Sequence, residues 1–116
     1  MKILVCGGRN YWKPSLVNRA LAHVHAKRGI TLLIHGAAPG ADKLADDWAK
    51  AVGVERQPFP ADWDKFGKSA GPIRNKRMLD EGKPDAVVAF PGGDGTDDMV
   101  RRAEMRGLKV WKPYGG

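Results

Sequence analysis

The chain has one cysteine, no basic run of five or six residues and no apolar stretch of membrane-spanning length. Each absence excludes something. A lone Cys6 closes no internal disulfide, which predicts a reducing compartment and a buried thiol at the end of a strand. No histidine adjoins it to serve as a base, so a nucleophilic role is set aside. No segment approaches the ~18 consecutive apolar residues of a membrane helix. The apolar start, Met1 to Cys6, stops at Gly7-Gly8-Arg9 before a secretory h-region is built. Cytoplasmic location and no membrane partner are therefore expected. Histidines are few and scattered. His23 and His25, two apart on a helix, face different ways, and His35 at a strand end reads as structural, so neither a metal centre nor a resident cofactor is expected.

What is present fits one globular domain spanning residues 1–116, with 42% hydrophobic and 28% charged residues. The net charge of +7 and pI near 9.8 call for an anionic partner, either nucleic acid or a phosphorylated small molecule. The basic residues are dispersed as Lys27-Arg28, Arg74 to Arg77, Arg101-Arg102, Lys109 and Lys112. That dispersal weakens the nucleic-acid alternative without removing it.

Short apolar runs alternate with helical patterns, the signature of an α/β fold. A single Rossmann-like domain follows, with a mostly parallel five-stranded sheet and helices on both faces. Strands are expected at Ile3 to Cys6, Thr31 to His35, Val54 to Phe59, Asp85 to Phe90 and Leu108 to Trp111. Helical spacing covers Ser15 to Lys27. It is cleanest at Ala41, Leu44, Ala45, Trp48, Ala49 and Val52, before Gly53. Further helices are expected from Pro72 to Glu81 and from Thr96 to Arg106, leaving Pro58 to Gly71 as a long irregular loop of the kind that often carries function.

Three strand-to-helix turns are glycine-rich: Gly7-Gly8-Arg9, Gly36 to Asp42, and Pro91 to Thr96. In an open parallel sheet all three fall on the carboxyl edge, where ligands bind at the reversal of strand order. Glycines allow close approach, and helix-start amides favour an anion. The Gly7 turn lacks G-x-G-x-x-G spacing and no Gly-Lys-Ser/Thr is present, which disfavours dinucleotide dehydrogenases and P-loop NTPases.

Together with Pro60-Ala61-Asp62-Trp63 and Ala70-Gly71-Pro72-Ile73-Arg74-Asn75, these turns resemble the YspA/YpsA-related branch of the SLOG superfamily, small proteins frequent in phages and mobile elements. The resemblance spans nearly the whole chain. It implies a Rossmann-like fold and the binding or processing of nucleotides and nucleotide-derived signals. Relatives include lonely-guy phosphoribohydrolases and the single-stranded-DNA-binding DprA, so fold alone leaves function open. The lonely-guy pattern of Arg-x-x-x-Met followed by Pro-Gly-Gly-x-Gly-Thr-x-Glu-Glu is matched by Arg74 to Met78 and Pro91 to Thr96. Asp98 stands for the first glutamate and Met99 replaces the second.

The candidate site follows. Gly92, Gly93, Gly95 and Thr96 are expected to hold a phosphate, with Thr96 also capping its helix, and Arg74 to add a bidentate contact. Asn75 either hydrogen-bonds a ribose or orients Arg74. Arg9 stacks on a base or pairs with a second phosphate. Asp42 takes ribose hydroxyls or caps its helix. Trp63 is a wall for a base, while Gly7, Gly8, Gly36 and Gly40 are expected to bind the ligand by letting the backbone of their turns approach it closely. If the protein is an enzyme, Asp98 and Arg74 are the catalytic candidates for N-glycosidic cleavage. The leading reading is a module that senses or sequesters a nucleotide-derived molecule such as an ADP-ribose-like ligand. A phosphoribohydrolase and a nucleic-acid binder are the alternatives, and self-association is expected from the resemblance.

Overall fold

The first strand sets the architecture. Ile3 and Val5 belong to one buried apolar cluster, Leu4 and Cys6 to another, as the two-residue period of a strand requires. A strand apolar on both sides needs a helical layer on each. The computed structural model describes residues 1–115. In it β1 (Lys2–Cys6) lies at the centre of a sheet with β2 (Leu32–His35), β3 (Glu55–Pro58), β4 (Ala86–Ala89) and β5 (Lys109–Trp111). The order is β3-β2-β1-β4-β5, and every pairing is parallel.

On the Ile3/Val5 face pack α1 (Pro14–Arg28) and α2 (Ala41–Val52), through Val17, Leu21, Ala45 and Trp48. On the Leu4/Cys6 face pack α4 (Ala70–Arg77), the π-helical turn Met78–Gly82 that continues it, and α5 (Asp94–Met105). Met78, Leu79, Met99 and Ala103 supply that contact. Leu4, Leu33 and Ile34 are wholly buried, and each such side chain contributes about 1.5–3 kcal/mol. The sheet, more than helix propensity, therefore holds the short helices.

The expected loop at 58–71 is instead partly helical. It contains α3 (Trp63–Phe66) and a 3₁₀ turn, Gly67–Ser69. No residue of either is buried, so neither leaves an apolar period to read. Helix α4 starts at Ala70, two residues before Pro72. A first-turn proline forfeits no helical hydrogen bond. Helix α5 likewise starts early, at Asp94, so Thr96 lies inside its first turn and the N-cap position falls on Gly93.

The chain leaves β3 at one edge and re-enters beside β1 as β4, and the loops after β1 and β4 diverge toward opposite helical layers. Phe90 N donates to Cys6 O at 2.9 Å and Gly8 N to Pro91 O at 2.8 Å, pinning the two loops where they part. A crevice at this switch point follows from the topology. Among the described residues, no helix is long and apolar enough to cross a membrane.

Candidate functional site

A cavity of about 870 Å³ opens there. It lies within the roughly 300–1,000 Å³ usual for small-molecule sites. Its walls come from the turn after β1, the start of α2, the segment from Trp63 through α4, and the turn from β4 into α5.

The three glycine-rich turns differ in what their amides do. After β1, Gly8 N is taken by Pro91 O, and Gly8 O accepts from Tyr11 N and Ala41 N. After β2, Asp42 Oδ2 accepts from Gly36 N at 3.1 Å and Ala38 N at 3.3 Å, while His35 Nδ1 accepts from Ala37 N at 3.0 Å. That turn carries its own internal acceptor. After β4, the amides of Gly92, Gly93, Asp94, Gly95 and Thr96 find no acceptor among the described residues, and α5 has no side-chain cap. These five consecutive donors, at the positive end of a twelve-residue helix, line the cavity.

The glycines divide in the same way. A Cβ on Gly40 (φ 77°) would stand 2.2 Å from Gly8 O, and one on Gly92 would stand 2.7 Å from Gly8 N. On Gly7 it would meet the Cβ of Ala41 at 2.5 Å, and on Gly36 the guanidinium of Arg74 at 2.4 Å. Gly93 and Gly95 have nothing within 4 Å. The first four let strands and loops close on one another, whereas the last two leave the α5 amides uncovered.

Arg74 faces the cavity from α4. Its Nη1 donates to Gly36 O and its Nε to Asn75 Oδ1 at 3.0 Å, which fixes the planar fork and leaves Nη2 without a partner among the described residues. Burial lowers its pKa, opposed by Asp42, but a guanidinium stays charged. Buried Asn75 spends both amide hydrogens, on Gly95 O at 3.1 Å and Asp98 Oδ2 at 3.0 Å. Of its two expected roles, the contacts supply the orienting one. Asp98 accepts from Asn75, from Arg102 Nε at 2.8 Å and from Arg101 Nη2. Burial works against its charge, but these donors outweigh it and hold the carboxyl below the usual range. Both of its oxygens are engaged.

Asp42 is buried and its carboxyl is pushed up by that burial, with His35, the Ala38 amide and Arg74 opposing. It reaches back to the preceding turn rather than capping its own helix. Cys6 lines the cavity, its thiol pushed up to about 12 by burial and by Asp42, and is therefore inert. His35 Nδ1 accepts from Ala37 N, and its Nε2 pairs with Asp46 Oδ1 at 2.8 Å. Trp48 lies in the core against His25. At the cavity mouth the Arg9 guanidinium lies over the Trp63 ring, 5.4 Å from its centroid.

Of the residues singled out from the sequence, Gly7, Gly8, Arg9, Asp42, Trp63, Arg74, Asn75, Gly92, Gly93, Gly95, Thr96 and Asp98 line this one cavity. Gly36 and Gly40 lie behind its wall. Sequence reasoning passed over Lys68, Ala38 and Met78, which also line it. Lys68, between Gly67 and the Ala70-Gly71-Pro72 motif, had the clearest signal, a cation in the one long segment without apolar pattern.

A model of the YspA, cpYpsA-related SLOG family matches residues 1–66. Gene 61 protein of Mycobacterium phage D29 is 35% identical over 117 residues, covering 94% of this chain and 93% of that protein.

Proposed function

Taking as premise that the chain belongs to the YspA/cpYpsA-related SLOG family, a membership that suggests a nucleotide-related function, we propose that it binds a nucleotide-derived small molecule, sensing or sequestering it. The phosphate sits on the amides of Gly93 to Thr96, the Thr96 hydroxyl and the outer edge of Arg74. The observation that carries this reading is the unbroken run of unpaired amides opening into a cavity beside the half-buried guanidinium of Arg74. Oriented amides and a fixed bidentate cation are what a phosphate needs, and neither requires reorganisation on binding.

Binding without cleavage is favoured over a phosphoribohydrolase by Asp98. An N-glycosidase needs a carboxylate oxygen free to meet a water or a developing oxocarbenium ion, and here both oxygens are hydrogen-bonded to Asn75, Arg101 and Arg102. Calorimetric titration with ADP-ribose, AMP, ribose 5-phosphate and inorganic phosphate tests the reading. At least one sugar phosphate binds below millimolar, and Thr96→Val weakens it about tenfold, the loss of one hydrogen bond to a charged group. Free base released from AMP would return the enzyme to first place, and no binding across the panel would end the phosphate reading.

A further inference from the structure

One contact at the cavity mouth has no part in holding a phosphate. Arg9 stacks on Trp63, both residues line the cavity, and Trp63 is still 46% exposed. Helix α3 buries none of its residues, so its tryptophan is presented at the cavity rather than spent on the core. On the α4 side the ring's neighbour is Gly71, where even a Cβ would stand only 3.4 Å from Cη2. A flat group that joins this ring on the face Arg9 now covers must displace the guanidinium.

We propose that Trp63 is the stacking face for the planar base of the ligand, and that Arg9 is a placeholder which the base displaces. The inference rests on the phosphate reading above and adds to it the recognition of an aromatic base. The relative strengths permit the exchange. An exposed guanidinium on an aromatic ring shifts an equilibrium about two- to fivefold, whereas a nucleic-acid base on the same kind of ring shifts it about five- to 150-fold. The displaced cation has a place to go. Arg9 is close enough to Arg74 to act on its charge, so a phosphate between the two relieves their repulsion. The base takes the ring, and the guanidinium turns to the anion.

The test is the ratio of affinities for AMP, GMP, CMP and UMP to that for ribose 5-phosphate, measured by calorimetry. The wild-type protein prefers at least one nucleotide over the bare sugar phosphate. In Trp63→Ala that preference falls at least fivefold while ribose 5-phosphate affinity stays within twofold, and Trp63→Phe keeps most of the preference. In Arg9→Ala nucleotide affinity falls at least twofold, because no displaced cation is left to meet the anion. An unchanged ratio in Trp63→Ala, or unchanged nucleotide affinity in Arg9→Ala, overturns the exchange and leaves the phosphate reading intact. If ribose 5-phosphate does not bind the wild-type protein, the phosphate reading falls and the exchange with it.

Discussion

The turns after β2 and β4 are built from the same materials and end in opposite states. Each follows a buried strand, each is rich in glycine, and each feeds a twelve-residue helix. The second residue of α2 is Asp42, and its carboxylate takes the amides of the turn behind it. The second residue of α5 is Gly95, and the corresponding amides stay open. Glycine content thus marks where backbone comes close. The side chain one step into the helix decides whether the amides there are available to anything else.

The most severe way to break the comparison is Gly40→Ala. Its positive φ and the 2.2 Å approach to Gly8 O leave no room for a Cβ, so urea unfolding should report a loss of about 3 kcal/mol or more, or no folded protein. Next, Asp42→Ala strips the acceptor from the Gly36 and Ala38 amides and should cost about 1–3 kcal/mol. Asp42→Asn, which keeps an acceptor oxygen, should lose less than half as much, because burial already disfavours the charge. Gly95→Asp copies the α2 arrangement into α5. Ribose 5-phosphate affinity should fall about 30-fold or more, as a carboxylate competes for the same amides, with stability changed by less than about 1 kcal/mol.

The smallest effect is a pH dependence. The carboxyl of Asp98 is held below its ordinary value, so its ionised form stabilises the fold above the unfolded pKa of about 3.9. That contribution is lost as pH falls through the lower folded value. The stability gap between wild type and Asp98→Asn, present at pH 6, should close below about pH 4.

The sheet was legible because Ile3 to Cys6 and Val87 to Phe90 are uninterrupted apolar runs and α2 repeats its apolar face faithfully. The glycine turns located the crevice for the same local reason. What stayed hidden depends on contacts distant in sequence. Arg74 meets Gly36 O across 38 residues, and Asn75 meets Asp98 across 23. The start of α4 at Ala70 was masked by Pro72, a residue that reads as a boundary yet is harmless in a first turn. Nothing in the spacing of Asp42 distinguishes a helix cap from a carboxylate turned backward, since both place an acid early in a helix.

The parallel pairing of β1 has a consequence for synthesis. Ile3 meets Leu33 on one flank but waits for Ala86 on the other. A nascent chain can assemble β1, β2 and β3 while the opposite flank of β1 remains a bare edge, open to mispairing. Only when β4 docks does that vulnerable edge become the floor of a crevice. A chain cut before Ala86 lacks both β4 and the open amides from Gly92 to Thr96, and with them the crevice.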